Sequence, residues 1–300
     1  DFSIDFRFNL SNYMNTLIDL DQTLLDSYNS EFNYANGSYL TRVQKGNSFG
    51  SIYGFRYKGV YQYDQYIAGS QENAPVARDA GGNVILDQDG NPRPVWFNYY
   101  QKGGGTRYMF RGGDAIYEDI NSDGSIDELD IVYLGNSNPK INGGFGPTFR
   151  YKNWSMNAFF NFRVGNKIIN AARMNTENMY FDNNQSYAVN WRWRKEGDIT
   201  RIPRALHEMG YNWLGSDRFV EDGSFLRFKY LTFNYALPQD MLKKLKLNRL
   251  NFYLTFNNVA VWSKYTGVDP EVGYGGLGLS YDDSRTPRSK DMTFGASIGF

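Results

Sequence analysis

The last ten residues, 291–300, alternate between apolar and small polar side chains. The apolar positions are Met292, Phe294, Ala296, Ile298 and Phe300. A period of two predicts an extended strand with one apolar face. A half-buried strand of a soluble sandwich also alternates, but the small polar side here has no bulk to fill a core. A transmembrane barrel strand needs about 9–11 residues, apolar toward lipid and small or polar toward an aqueous lumen, so we interpret 291–300 as such a strand.

The same alternation opens the chain. Its apolar positions are Phe2, Ile4, Phe6, Phe8 and Leu10. The opposite face carries the charged residues Asp5 and Arg7, which suit a water-filled lumen better than a dry protein core. The first residues therefore predict a second barrel strand.

Further strands are predicted in the middle and toward the end of the chain. Residues 145–162 read as a hairpin with a two-residue turn at Lys152-Asn153, and 225–235 and 250–257 read as a pair joined by 237–249. The intervening segments 64–140 and 165–217 are long. Tight turns on one side and long loops on the other are typical of an outer-membrane barrel, so the predicted fold class is all-β, a transmembrane antiparallel β-barrel with long extracellular loops.

The remaining segments predict less regular structure. Residues 11–30 are loosely helical, 39–43 read as a short strand, and 51–63 read as a longer one that places Tyr53, Phe55, Tyr57 and Tyr61 together. Arg56 and Lys58 fall on its other face. Residues 64–113 are rich in Gly, Asn, Asp and Pro and predict a large exposed loop, with one hairpin around Asp89-Gly90 between 84–86 and 95–97.

Composition supports the β assignment and excludes several functions. Aromatic residues make up 17% of the 300 residues, with 31 Gly and no Cys, as expected for β-structure with many turns. Because the formal net charge is zero, the chain has no overall electrostatic attraction to nucleic acid. The mean hydropathy of −0.58 and the lack of a run of about 18 apolar residues argue against a transmembrane helix. The absence of a signal peptide suggests a processed chain or a fragment.

One motif predicts a specific ligand. Residues 119–130 match the twelve-residue calcium loop, in which side chains at positions 1, 3, 5, 9 and 12 and the carbonyl at position 7 bind the ion. The corresponding ligands are Asp119, Asn121, Asp123, Ser125, Asp127 and Asp130. Gly124 stands at the sharp turn, and Ile126 is expected to anchor the loop against packed structure. We predict a structural Ca²⁺; the alternative is an acidic surface turn that binds nothing.

Other candidate residues carry weaker signals. The tryptophans in the loops could stack on a substrate such as a sugar ring, or could instead pack the loops or line the membrane interface. These are Trp96, Trp191, Trp193 and Trp213. His207 is the only histidine and reads as a surface loop residue rather than a ligand or catalytic group. The glycine runs at 103–105 and 273–276 lack the strand and helix of a phosphate-binding loop. No catalytic residue is predicted.

Several stretches together resemble the C-terminal part of the SusC/RagA family of TonB-dependent outer-membrane transporters. They are 49–54 (FGSIYG), 59–62 (GVYQ), 113–130 (GDAIYEDINSDGSIDELD), 134–136 (LGN), 138–139 (NP), 218–227 (RFVEDGSFLR), 256–258 (FNN), 265–271 (YTGVDPE) and the final strand ending in Phe300. Their order and spacing along nearly the whole chain also agree with the family.

The resemblance implies a barrel of roughly 22 strands around an N-terminal plug. Because the chain has no plug, it implies a C-terminal segment of about eight strands that pairs with a remaining N-terminal portion. It also implies contact with the lipid bilayer of the bacterial outer membrane, energy from the TonB complex, a SusD-like surface lipoprotein as a lid, and import of a bulky nutrient, a glycan or a peptide. The alternatives from the sequence are a small stand-alone porin or adhesin, or a secreted calcium-binding β protein that binds carbohydrate.

Overall fold

A computed structural model describes residues 2–12, 14–29, 35–40, 42–63, 74–101, 104–273, 278–284 and 286–300. The predicted loop segment 64–73 and most of the two glycine runs lie outside these ranges. Within the described ranges, no helix is both long and apolar enough to cross a membrane.

The described elements are sixteen strands, three α-helices and several short 3₁₀ helices. In chain order the strands are β1 (Phe2–Ser11), β2 (Ser51–Gly54), β3 (Tyr57–Val60), β4 (Trp96–Gln101), β5 (Gly104–Met109), β6 (Ala115–Tyr117), β7 (Ser125–Ile126), β8 (Val132–Asn136), β9 (Ile141–Tyr151), β10 (Trp154–Val164), β11 (Lys167–Asn170), β12 (Val220–Asp222), β13 (Phe225–Ala236), β14 (Arg249–Ser263), β15 (Tyr281–Asp282) and β16 (Asp291–Gly299). The α-helices are α1 (Gln22–Tyr28), α2 (Ala171–Glu177) and α3 (Gln239–Leu245).

The long strands form one antiparallel sheet in the order β1-β9-β10-β13-β14-β16, which is also their order along the chain. Each strand predicted at the start, middle and end of the chain is confirmed, as is the short helix within 11–30. The sheet has six strands among the described residues, so the expectation of about eight is wrong. Edge strands β1 and β16 do not pair with each other there, and the described sheet is open. The expectation that these strands close a barrel with a portion outside this chain stays a prediction.

The alternation of the strands separates two faces of this sheet. Phenylalanine rings stack across neighbouring strands on the apolar face, with Phe145 and Phe160 at 5.0 Å and Phe160 and Phe228 at 4.4 Å between centroids. On the other face Arg150 pairs with Asp5, and the hydroxyls of Thr232 and Thr255 are 3.0 Å apart. The rings of the edge strands, such as Phe6 and Phe294, are 64% and 70% exposed, and the stacked rings between them are half-buried, so the described residues cover this face only in part.

The two ends of the sheet differ in their connections. At one end Lys152 and Asn153 join β9 to β10, with Lys152 in the left-handed region at φ 50°, and residues 237–248 join β13 to β14. The latter connection contains α3, which the sequence reading did not predict; it follows Pro238 and ends at Lys246, also left-handed at φ 53°. At the other end the connections 12–140, 165–224 and 264–290 are long, which confirms the predicted asymmetry.

The long connections fold together into a packed unit, which we call the loop domain. Its aromatic core contains Phe55, Phe97, Phe110 and Tyr117, all essentially inaccessible to solvent. The prediction of a large exposed loop is confirmed for residues 78–83 and 88–91 but is wrong for Ala77, Val95, Phe97 and Phe110, which are buried. The grouping of Tyr53, Phe55, Tyr57 and Tyr61 is confirmed, because all four join this core. Each of many short segments contributes one or two aromatic rings to this core. The sequence therefore shows no periodic pattern that would predict it.

Several predicted strands of the loop domain differ in detail. The segment 51–63 forms two strands, β2 paired with β8 and β3 paired with β6, because each half meets a different partner. On its outer face Arg56 and Lys58 both pair with Glu118, at 3.2 and 2.7 Å. At 39–43, Leu40 forms a single bridge to Tyr53 in place of a strand, and position 41 lies outside the described residues.

Residues 76–95 form two similar turns built on an eight-residue repeat, 76–83 (VARDAGGN) and 84–91 (VILDQDGN). Backbone hydrogen bonds run in a ring from Ala77 to Arg93, from Ile85 to Ala77 and from Arg93 to Ile85, at 2.8–2.9 Å. The predicted turn at Asp89-Gly90 is confirmed, but its predicted partner strand at 95–97 is wrong. Residues 96–101 pair with β5 instead, because the backbone N–H and carbonyl of Ile85 already form hydrogen bonds with Ala77 and Arg93.

Candidate functional site

The four candidate tryptophans lie in different environments. Trp193 and Trp213 are buried, and the indole nitrogen of Trp193 donates to Gln62 at 3.1 Å. Trp96 is half-buried, and the Arg107 guanidinium covers its ring at 4.6 Å from the centroid. Trp191 alone among the four is largely exposed. Trp193 and Trp213 therefore pack the interior of the loop domain. Trp191 is the remaining candidate, since its indole ring is accessible to solvent.

The predicted calcium-type loop is closed by its own carboxylates. Asp119 accepts the backbone N–H groups of Gly124 at 2.7 Å and Asp123 at 3.2 Å, and Gly124 adopts φ 80°. Asp130 accepts the N–H groups of Ile120 at 2.7 Å and Asp127 at 2.9 Å. These bonds bring the first and last positions of the loop together.

The loop is also anchored to the aromatic core. Ile126 is buried there, as predicted, and Arg93 donates to the carbonyl of Asp123 and to the hydroxyl of Ser125. Burial raises the pKa of Asp130 to about 6 and raises the pKa of Asp119 and of Asp127. Burial of like-charged carboxylates is typical of a cation site, but no three acidic or histidine side chains within the described ranges lie close enough to hold a metal ion. Calcium binding stays a prediction.

A buried carboxylate joins two of the long connections. Asp114 is inaccessible to solvent and accepts hydrogen bonds from Arg204 Nε at 2.7 Å, the Tyr108 hydroxyl at 2.8 Å and Asn212 Nδ2 at 3.2 Å. Such a charge is stable in the interior only when it is paired and hydrogen-bonded. Asp114 therefore fixes connection 165–224 against connection 12–140. No local pattern marks Asp114 as buried, because Arg204 and Asn212 lie 90 and 98 positions away in the sequence.

One further ion-pair group lies within connection 165–224, and another joins a connection to the sheet. Arg218 pairs with Glu177 at 3.0 Å, and Arg173 links Glu177 to Glu221 at 3.1 and 2.8 Å. Near the start of β13, Arg227 pairs with Asp269 at 2.5 Å and Glu271 at 3.1 Å. The contact between Arg227 of β13 and the stretch 265–271 thus holds connection 264–290 on the sheet.

Four cavities among the described residues are relevant to a binding site. One of about 670 Å³ lies beside the end of β1 and is lined mainly by carboxamide and tyrosine side chains, among them Asn12, Asn15, Tyr53, Tyr133 and Asn136. The others measure about 560, 450 and 250 Å³ and lie around Phe225, Arg218 and Glu271, respectively. None of these cavities contains a side-chain pair arranged for nucleophilic or acid–base catalysis. His207 is exposed and lies 3.9 Å from the likewise exposed Asp182, as expected for a surface histidine.

No family model matches the chain, but curated relatives do. TonB-dependent receptor P3 of Formosa agariphila is 28% identical over the whole chain and 27% of its own length. TonB-dependent receptor P26 of the same organism is 32% identical over 63% of the chain and 20% of its own length. TonB-dependent receptor SusC of Bacteroides thetaiotaomicron is 25% identical over 62% of the chain and 18% of its own length.

Solved structures agree with the fold. The RagAB peptide importer in its closed-closed state matches the whole chain with a TM-score of 0.62 and 20% identity, over 28% of the matched chain. The RagAB peptide transporter matches with a TM-score of 0.61 and 20% identity. The chain spans about a quarter of the length of the proteins that it matches from end to end.

Together these relatives and the fold define the chain as a segment of a TonB-dependent receptor of the SusC/RagA type. TonB-dependent receptors are transporters of the bacterial outer membrane, and the outer membrane is the location of this chain. The secreted protein considered from the sequence is excluded by this location.

Proposed function

We propose that this chain is the C-terminal part of the barrel of a TonB-dependent active transporter that imports a bulky nutrient, an oligosaccharide or a peptide. The observation that carries the proposal is the six-stranded sheet with stacked, partly exposed phenylalanine rings on one face, ion-paired polar groups on the other, and all its long connections at one end. A membrane barrel requires this inside-out distribution. The open edges at β1 and β16 would pair with the remaining strands of the receptor, and β16 would be its closing strand.

We propose that the complete receptor works with a SusD-like surface lipoprotein, a plug domain and the TonB complex. The folded loop domain, on one side of the sheet, offers the surface on which such a lid would rest. Similarity of fold to RagAB, described as a peptide importer, supports the pairing. Contact with the TonB complex would be made by the part of the receptor that carries the plug. No covalent chemistry is required, since transport depends on binding and release.

Energised uptake tests this proposal. We expect the complete receptor to import labelled oligosaccharides or peptides in cells that contain TonB and to lose that uptake when TonB is deleted. A stand-alone porin, the alternative from the sequence, would conduct equally with and without TonB. Equal uptake in the two strains would therefore refute active transport, whereas the class of labelled compound taken up would separate glycan from peptide.

We also propose that the loop 119–130 takes up Ca²⁺ as a structural ion. The support is its ligand spacing and the turn in which Asp119 holds Gly124. An ion bound only by the folded state stabilises it by about 2.7 kcal/mol at 100 times its Kd. We expect Ca²⁺ to slow proteolysis within 104–140 of the complete receptor, and Asp119→Asn to weaken this protection. Identical cleavage rates with Ca²⁺ and with chelator would show that the carboxylates act only as hydrogen-bond acceptors.

A further inference from the structure

The end of the sheet with the short connections 152–153 and 237–248 carries an aromatic row on its apolar face. Tyr151 and Tyr235 both pair with Trp154 across the strands, and the alternation of β10 puts Trp154 on the same face as Phe160. The rings of Trp154 and Tyr235 lie 4.5 Å apart between centroids, and Tyr151 and Trp154 are 53% and 57% exposed. Exposed Trp and Tyr side chains near the end of an apolar face are typical of a membrane–water boundary.

The two short connections lie just beyond this aromatic row and contact each other. The Asn153 side chain donates to the Ala236 carbonyl at 2.9 Å, and the Ala236 N–H donates to the Asn153 carbonyl at 2.9 Å. Asn153 belongs to the turn between β9 and β10, and Ala236 is the last residue of β13. These two hydrogen bonds hold the turn beside the connection that contains α3.

Helix α3 exposes part of its apolar side. Leu242 is buried, whereas Met241 and Leu245 are 48% and 54% exposed. Residues four apart lie on the same side of a helix, so the side chains of Met241 and Leu245 form one apolar strip next to Leu242. The described residues cover Leu242 and leave this strip open to the surrounding medium.

The same two connections carry four exposed lysines. They are Lys152, Lys243, Lys244 and Lys246. Within the described part of the chain, none of these lysines has a carboxylate at ion-pair distance, although the Lys152 ammonium lies over the Tyr151 ring, 5.3 Å from its centroid. Asp240 is the only acidic residue between positions 223 and 268, and none occurs between 131 and 176. The two connections therefore present an excess of positive charge beside the aromatic row.

This combination of charge and apolar surface indicates the class of the ligand. Small-molecule sites are concave, but no residue of the two connections lines any of the four cavities described above. A basic element at a membrane boundary instead places its apolar side chains among acyl chains and its lysines near anionic head groups. A zwitterionic lipid offers no net charge to the lysines. The surface is therefore complementary to a phospholipid with a net negative head group.

We propose that α3 and the turn 152–153 form a binding site for anionic phospholipids of the surrounding bilayer. The inference rests on the proposed function, in which a bilayer covers the apolar face of the sheet. Lys243 and Lys244 would pair with lipid phosphates, and Met241 and Leu245 would contact the acyl chains. The bound lipids would fix the depth at which this end of the sheet lies in the bilayer.

Lipid titration of the complete receptor tests the proposal. Receptor in detergent is titrated with phosphatidylglycerol, or with zwitterionic phosphatidylcholine of the same acyl chains, and bound lipids are counted by native mass spectrometry. We expect the wild type to prefer phosphatidylglycerol. The double substitution Lys243→Gln and Lys244→Gln should weaken phosphatidylglycerol binding about 30-fold, from about fivefold for each lysine, and leave phosphatidylcholine binding unchanged.

The matched control removes two exposed lysines from the opposite end of the sheet. Lys140→Gln and Lys290→Gln change the net charge by the same amount and should leave the preference for phosphatidylglycerol unchanged. An equal loss of phosphatidylglycerol binding in the two double variants would show that only net charge matters, and would overturn the site.

Other results would also overturn the lipid site. These are equal affinity of the wild type for the two lipids, and an unchanged preference after substitution of Lys243 and Lys244. If that double variant keeps the preference but loses a protein that co-purifies with the wild type, the surface docks a protein instead. All of these results leave the proposed transport intact. A complete receptor that stays monodisperse without detergent and binds neither lipid would refute the membrane barrel itself.

Discussion

The sheet and the loop domain use the same residue type in opposite ways. Phe6 and Phe294 in the sheet are 64% and 70% exposed, whereas Phe97 and Phe110 in the loop domain are fully buried. Both placements remove aromatic surface from water if the medium around the sheet is lipid. Under the proposed function the membrane would cover the rings of the sheet, whereas the loop domain covers its rings with its own chain. The burial of a phenylalanine thus reports which solvent its segment faces.

The polar groups show the reverse contrast. In the sheet, Arg150 and Asp5 are both half exposed on the face opposite the rings, where water can screen them. In the loop domain Asp114 is inaccessible and depends on Arg204, Tyr108 and Asn212. A charge in the sheet therefore tolerates the loss of its partner, but a charge in the loop domain does not.

The largest effect expected concerns the aromatic core. Phe97→Ala should destabilise the loop domain by about 3–5 kcal/mol, because it leaves a cavity that rigid neighbours fill poorly. Phe294→Ala removes the same ring from the exposed face and leaves no internal cavity. Amide exchange of the loop domain in detergent-solubilised receptor should accelerate in the first variant and stay unchanged in the second. Equal amide exchange of the loop domain in both variants would contradict the conclusion that the loop domain has a core separate from the exposed face of the sheet.

The second-largest effect on stability is expected from removal of the buried charge of Asp114. Asp114→Asn should cost about 3 kcal/mol, because the partly buried Arg204 guanidinium loses its carboxylate. In the control, Glu118→Gln removes a solvent-screened pair with Lys58 and Arg56 and should cost below about 1 kcal/mol. The hydrogen bond from Lys58 lowers the pKa of Glu118, so this small contribution is present at neutral pH and lost as the pH falls through that carboxyl's titration.

Limited proteolysis tests the prediction for Asp114 directly. Cleavage between 165 and 224 should accelerate in Asp114→Asn, because this connection is the one released. Wild-type cleavage of Asp114→Asn, or equally fast cleavage of Glu118→Gln, would show that the buried carboxylate does not join the two connections.

The smallest of the three contrasts concerns the face that we assign to lipid. Phe6→Arg should destabilise the receptor in a bilayer by about 2–4 kcal/mol if the residue lies near the membrane midplane. Leu129→Arg, at an exposed apolar residue of the loop domain, should change stability by no more than about 0.5 kcal/mol. Urea unfolding in liposomes measures both values. Equal effects would mean that β1 does not face lipid.

Much of the sheet could be predicted because each strand carries its own signal. The alternation from Phe2 to Leu10 separates an apolar from a polar face, and this pattern can be recognised without knowledge of the partner strand. The two-residue turn at Lys152-Asn153 is equally local. The calcium-type spacing of 119–130 was readable for the same reason, although the convergence of its carboxylates depends on coordinates rather than spacing.

Local sequence patterns were enough to establish the long strands, their order and the end at which the long connections lie, because the surrounding solvent acts on each residue separately. Folding in three dimensions settled that those connections form a domain, that Trp193 and Trp213 are buried, and that Trp191 is exposed beside Tyr187. The contacts responsible join residues far apart in the chain, as Asp114 joins Arg204 across 90 positions. Such pairings depend on which surfaces meet after folding, and no local pattern of residues encodes them.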